Sequence, residues 1–339
     1  MSAPKIEPGL SPIAGSLYQP PWWLPGGHLQ TVWRKLGKTS APWRRRQRVE
    51  LRDGDFIDID HAPARHLADP ARPVVLLVHG LAGSSSSSYI LAMQNLLQQN
   101  DYHSIAINLR GCSGEYNRLP IAYHSGCSPD IEQVITELVE TDLKDTSLAA
   151  IGYSLGANVL LKWASETVFA PRLRALVSVS NPFSLDLCCE QMNRGMPFWY
   201  GRYFLQRLRG DLVAKRDFFR CRNNLDHVAQ IDALGPLDKL RTLWEFDDAV
   251  TAPLHGFDGA EDYYQRCSSR QFIGKVPAST LVIHGMNDPI IPPHALPARA
   301  AMPAHVTCDL FPAGGHVGFA MSGRKDWLER RILDFIAVN

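Results

Sequence analysis

The hydrophobic residues of this chain fall into short continuous runs separated by amphipathic stretches. Val74-Val75-Leu76-Leu77-Val78 is apolar throughout. Ser104 to Asn108, Ser147 to Ile151, Ala175 to Val179 and Thr280 to His284 are nearly so. Runs of this length without alternation predict strands covered on both faces, as in a parallel sheet. Between them the period lengthens. Tyr89 to Gln99 reads as a helix, and Asp130 to Leu143 carries Ile131, Val134, Ile135, Leu138 and Val139 on one stripe. Ala157 to Ala164 and Lys325 to Ala337 repeat the helical pattern. A further strand is expected at Val306 to Phe311, after a short helix. Ahead of the first buried run, Arg48 to Leu51 and Phe56 to Asp60 alternate around Asp53-Gly54, which predicts a hairpin.

Repeated strand–helix–strand units imply right-handed crossovers and a mostly parallel central sheet flanked by helices, an α/β architecture. Two stretches depart from it. Residues 1–46 are rich in Pro, Gly and Trp and read as an irregular N-terminal arm. Residues 181–275 lack clear strands and carry many aromatic and basic residues. As an insertion between two sheet strands they are expected to form a cap over the edge where the strands end. That edge is where open α/β sheets bind ligands. Residues 47–180 and 276–339 are left as the core.

One strand-to-helix junction carries chemistry. Gly152-Tyr153-Ser154-Leu155-Gly156 joins a predicted strand to a predicted helix. A serine on such a turn is held exposed, and its glycines avoid collisions with the neighbouring strand and helix. The helix start adds amide groups where negative charge would develop. Serine needs a base within reach and a group to orient that base. In strand–turn–helix serine sites these follow in chain order, acid and then histidine. Asp288, in Gly285-Met286-Asn287-Asp288-Pro289, and His316, in Gly314-Gly315-His316-Val317-Gly318-Phe319, each follow a predicted strand. Both would share the sheet edge of Ser154. Asp247 and Asp248 lie in the insertion and Asp309 inside a strand; His79 and His284 are at strand ends, and His294 and His305 have no turn geometry in their favour. His79-Gly80-Leu81-Ala82-Gly83 follows the first buried run, so the N–H groups of Leu81 and Leu155 are the expected oxyanion hole. His79 is read as support for that loop, and Ser84 to Ser88 as a loop and helix cap.

Composition narrows the alternatives. The chain's 339 residues suit one large domain with an insertion, or two domains. Lys and Arg number 35 against 34 Asp and Glu, a formal charge of +1, which argues against a nucleic-acid partner. The local run Arg44-Arg45-Arg46-Gln47-Arg48 reads as a solvated face rather than a phosphate or membrane patch. Seven cysteines at irregular spacings, with no Cys-x-x-Cys, argue against a disulfide framework or a zinc site and fit a reducing, cytoplasmic compartment. The first residues, with Lys5, Glu7 and several prolines, show no signal-peptide pattern. No run reaches the roughly 18 apolar residues of a membrane span.

With these residues in view, the sequence resembles the α/β-hydrolase superfamily over nearly its whole length. More narrowly it is similar to the YheT-like esterases of bacteria, relatives of eukaryotic membrane-anchored lipid hydrolases. The resemblance is carried by Gly152 to Asn158, by Pro20-Pro21-Trp22-Trp23-Leu24-Pro25-Gly26-Gly27-His28-Leu29-Gln30-Thr31, and by His79-Gly80-Leu81 with Gly83-Ser84-Ser85. Arg110 to Gly114, Phe246-Asp247, Gly256-Phe257, Tyr263-Tyr264 and Gly314 to Phe319 extend it. It implies the α/β-hydrolase fold and hydrolysis of carboxylic esters by Ser154, Asp288 and His316, without metal or organic cofactor. It implies a small-molecule ester or lipid as substrate: short- to medium-chain acyl esters, acylglycerols or phospholipids. Acyl transfer to an alcohol is the rival chemistry. A non-catalytic binding protein on the same scaffold is a third reading, opposed by the presence of all three residues. The Trp22-Trp23 pair is expected to pack its rings against the domain or cap. The other reading is an acyl pocket or a transient membrane-surface contact.

Overall fold

Eight strands build one sheet: β1 (Arg45–Glu50), β2 (Phe56–Ala62), β3 (Val74–Val78), β4 (Ser104–Ile107), β5 (Leu148–Tyr153), β6 (Leu173–Val179), β7 (Ser279–Gly285) and β8 (Val306–Phe311). Their spatial order is β1-β2-β4-β3-β5-β6-β7-β8. All pairs are parallel except β1 with β2 and β2 with β4. The computed structural model describes residues 18–37, 39–66, 71–141 and 143–339. Residues 1–17 of the expected arm, Lys5 and Glu7 among them, lie outside these.

The continuous apolar runs have the cause expected of them. In β3, Val74, Leu76 and Val78 face one core layer and Val75 and Leu77 the other. The first layer is closed by α3 (Ser128–Glu140) and α4 (Leu155–Glu166). The second is closed by α2 (Ser88–Gln99) and α11 (Trp327–Val338). A strand buried on both sides leaves few positions for polar side chains, so it reads as a nearly continuous apolar run. The hairpin β1–β2 is also as expected. Its register sets Arg46 opposite Asp60 and Arg48 opposite Asp58. Each guanidinium donates twice to its carboxylate, at 2.8–3.0 Å. The basic run is thus paired along one face of the hairpin.

Three local features differ from the sequence reading. The N-terminal arm contains a helix, α1 (Gly26–Leu36). Among its residues of described burial, Gly27, Gln30 and Thr31 are buried, while Leu29, Val32 and Trp33 remain 50%, 44% and 48% exposed. The helical period is present, but small and polar groups occupy the inner face, which hides it from a search for apolar stripes. The two Trp rings differ: Trp22 is 89% exposed and does not pack as expected, whereas Trp23, 48% exposed, meets Trp33 of α1 edge-on at 5.1 Å between centroids. Between β7 and β8 there is no α-helix but two single 3₁₀ turns, Pro293–Ala295 and Arg299–Ala301. Pro289, Pro292, Pro293 and Pro297 remove the amide donors a longer helix needs.

The stretch between β6 and β7 is helical: α5 (Leu185–Gln191), α6 (Phe198–Cys221), α7 (Leu225–Asp232), α8 (Leu243–Phe246), α9 (Ala252–His255) and α10 (Ala260–Cys267). Asp247–Thr251, between α8 and α9, makes a π-helical turn. Asn158 of α4 ties this stretch to the sheet. Its amide donates to the carbonyls of Ser125 and Cys267 at 2.9 and 2.8 Å and accepts from the N–H of Ser269 at 2.8 Å. Asn158 is buried, so its loss strands groups that water cannot reach. Asn158→Ala is expected to lower stability by about 3 kcal/mol, measured as a lower urea midpoint at unchanged slope.

Candidate active site

Ser154 sits between β5 and α4 at φ 53° and ψ −124°. A non-glycine residue held there costs about 1–3 kcal/mol and persists only where its surroundings enforce it. Here the Ser154 N–H donates to the Val179 carbonyl at 2.8 Å, and α4 lies hard against β3 and β5. A Cβ on Gly156 would fall 2.4 Å from the Val78 carbonyl oxygen, and one on Gly152 2.4 Å from Ala157 Cα. Only hydrogen fits at either position.

The loops after β7 and β8 bring two side chains to this serine. Ser154 Oγ lies 2.8 Å from His316 Nε2, and His316 Nδ1 lies 2.9 Å from Asp288 Oδ2. With the Nδ1 proton donated to the carboxylate, Nε2 is free to accept from the hydroxyl. Asp288 is buried, and its other oxygen accepts the N–H groups of Ile290 and Ile291 at 2.8 and 3.1 Å. Burial alone would push this carboxyl up. The adjacent His316 and the backbone donors outweigh it and hold the group below the ordinary aspartate value. Asp288 is therefore an anion fixed in orientation behind the imidazole.

The two residues expected to supply the oxyanion amides are brought to one cavity. Leu81 and Leu155 both line the cavity around Ser154, and neither N–H has a hydrogen-bond partner among the described residues. Leu155 is the first residue of α4, so its amide is one of the free donors at a helix start. The Leu81 turn is shaped by residues on which sequence reasoning was silent. Tyr123 Oη accepts the Ala82 N–H at 2.7 Å, and Tyr89 Oη accepts the Gly80 N–H at 3.0 Å. Ala82 is held at φ 55°. His79 supports the loop as expected, bonded to the Gly80 carbonyl at 2.8 Å and accepting the Leu109 N–H at 3.1 Å. Thr31 of α1 was also without an assigned role; its Oγ1 accepts the His316 N–H at 2.8 Å. Only its place in the Pro20–Thr31 motif marked it.

Ser154 and His316 open into a cavity of about 520 Å³. One wall is apolar, with Leu185, Met192, Phe204, Phe246, Val250, Ile290 and Ile291. Its lining also includes the polar side chains of Arg110, His124, Lys215 and His255. Lys215 Nζ donates to the carbonyls of Pro120 and Ile121 at 3.3 and 2.6 Å, and burial brings it down to about 7. The competing acids lie elsewhere. Asp247 lines the cavity but is bonded by Thr251 and Tyr264, at 2.6 and 2.7 Å, and burial lifts it to about 6. Asp309 pairs with Arg331 at 2.7 Å. Among the described residues no cluster of His, Cys, Asp and Glu is arranged to hold a metal ion, and all seven cysteines are free thiols.

A mostly parallel sheet with a serine on a strained strand-to-helix turn and its partners on the following strand ends defines a class. Residues 73–320 match the model of the alpha/beta hydrolase fold, and the chain belongs to that family. Within it the chain falls in the YheT-like branch. It is 33% identical over 320 residues to the Escherichia coli (strain K12) protein named "Putative esterase YheT", covering 91% of this chain and 89% of that one. It is 27% identical over 316 residues to human phospholipase ABHD3, covering 91% and 75%. Among solved structures, the Pyrococcus furiosus esterase Pf2001 superposes with a TM-score of 0.55 at 13% identity, covering 87% of this chain and 92% of that one. Among the described residues no helix is long and apolar enough to cross a membrane.

The buried loop histidine gives the site a pH signature. His79 is fully buried, which lowers its pKa from 6.5 to about 4. The unfolded chain takes up a proton near pH 6.5 that the folded chain refuses until about pH 4. Stability is therefore complete above 6.5 and declines as pH falls towards 4, by about 3 kcal/mol from this group. Urea unfolding at pH 7 and pH 4.5 should show the decline, and His79→Gln should make it shallower.

Proposed function

We propose that the protein is a serine hydrolase that cleaves carboxylic esters, of short- to medium-chain acids or of glycerol, through an acyl-enzyme. The observation that carries the reading is the unbroken hydrogen-bonded chain Ser154–His316–Asp288, whose serine and histidine line a cavity with an apolar wall. His316 takes the Ser154 proton as Oγ attacks the ester carbonyl. The Leu81 and Leu155 amides receive the developing oxyanion. His316 then returns the proton to the leaving alcohol, and a water activated by the same imidazole releases the acid. Asp288 holds the tautomer and stabilises the imidazolium without accepting its proton. The helices between β6 and β7 act as a cap that supplies the apolar wall for the acyl chain. The cavity volume lies within the ~300–1,000 Å³ of small-molecule sites, in keeping with a short or medium chain.

A p-nitrophenyl ester series from acetate to palmitate tests this directly. Activity should peak at short to medium chains. Ser154→Ala should lower kcat by about 10⁴-fold or more and abolish labelling by a fluorophosphonate, with the fold intact. Asp288→Asn should lower kcat by about 10⁴-fold. Wild-type rates in Ser154→Ala would overturn the reading. An ester product formed when alcohol is added would instead identify an acyltransferase.

A further inference from the structure

We infer that helix α1, which precedes the residues matched to the family, is a working part of the active site, with Thr31 positioning the His316 loop. The inference rests on the proposed triad. The segment Gly314–Phe319 between β8 and α11 has no strand or helix of its own to set its conformation. Val317, β-branched, is held at φ 57°. What fixes the segment comes from outside it. The Val317 N–H donates to Ser180 Oγ at 3.0 Å, and the His316 N–H donates to Thr31 Oγ1 at 2.8 Å. The Thr31 hydroxyl in turn donates to the Gly27 carbonyl at 2.7 Å. A hydroxyl has one proton, so this donation leaves its lone pairs for His316. Gln30 adds a second tether: its side-chain oxygen accepts the Ala320 N–H at 2.9 Å, and its amide donates to the Leu24 carbonyl at 3.3 Å.

The backbones approach as closely as glycine allows. A Cβ on Gly315 would fall 2.7 Å from the Thr31 nitrogen, and one on Gly318 2.3 Å from the Gln30 carbonyl oxygen. On the helix side, a Cβ on Gly27 would lie 2.0 Å from the carbonyl oxygen of Asn287, the residue before Asp288. One face of α1 therefore touches both the acid loop and the base loop. A helix docked only for stability would turn its apolar side chains inward. This one turns Gly27, Gln30 and Thr31 inward and leaves Leu29, Val32 and Trp33 outside.

Thr31→Val keeps the shape and removes the acceptor. It should lower kcat by about 10- to 100-fold, as a small misplacement of a catalytic group does, with KM changed less than about twofold. Thr31→Ala, which removes the same acceptor without a branched side chain, should match it. Thr31→Ser should restore near-wild-type kcat. Amide exchange at His316 should be faster in Thr31→Val and Thr31→Ala than in the wild type or Thr31→Ser. Wild-type kcat in both acceptor-free variants, or equal loss in Thr31→Ser, would overturn the inference. A wild type inert to esters and to fluorophosphonate would count against the serine-hydrolase reading alone. The His316 amide exchange would then decide the tether.

Discussion

A parallel sheet covered on both faces has few places to put polar chemistry, because its strand interiors are filled mostly by apolar side chains. Here the carboxyl ends of the strands are that place. Ser154 follows β5, Ser180 follows β6, Asp288 follows β7, His316 follows β8, and the Leu81 turn follows β3. Each of these loops begins where a strand leaves the core, so parallel strands deliver residues distant in sequence to one edge. The strain at Ser154 belongs to the same constraint. The packing of α4 onto β3 at Gly156 and Val78 leaves no slack in which the turn could relax.

Environment, more than residue type, separates the carboxyl groups at this edge. Asp288 and Asp247 are both withdrawn from water. Asp288 faces an imidazole and two backbone amides, and its carboxyl is held down. Asp247 faces only the hydroxyls of Thr251 and Tyr264, and burial wins, lifting it to about 6. A carboxylate that is to steady an imidazolium has to remain ionised while buried, and of these two Asp288 has the backbone donors and the imidazole partner for that. The sequence offered both aspartates, and the donors around each favour Asp288 as the proposed acid.

The parts legible in the sequence are those whose cause is local. The apolar runs marked the strands because burial on both faces acts on every residue of a run. Ser154, Asp288 and His316 stood out because each occupies a loop whose neighbours, glycine or proline, suit a sharp turn after a strand. Helix α1 was not legible, since its buried face consists of Gly27, Gln30 and Thr31. Their burial depends on glycines at positions 315 and 318, far away in the chain. Tyr89 and Tyr123 were missed for a similar reason: a tyrosine that accepts a backbone N–H looks like any other core aromatic until its partner is known. The 3₁₀ turns after β7 could have been read from their prolines.

The stretch between β6 and β7 and the loop between β4 and α3 act on the site from opposite sides. Helices α5, α6 and α8 give the cavity its apolar wall and carry none of the proposed reacting groups. The loop after β4 meets them through Lys215 of α6, whose ammonium is bonded to the carbonyls of Pro120 and Ile121. Two residues on, Tyr123 of the same loop holds the Ala82 N–H beside the proposed oxyanion donor Leu81. A buried amino group bonded to two carbonyls is a stiff link, because leaving its polar donors unpaired away from water is costly. The wall that would select the acyl chain is therefore joined mechanically to the turn that would stabilise its transition state. The bonds of Lys215 and of Tyr123 thus connect α6 to the Leu81 turn through one loop, without passing through Ser154, Asp288 or His316.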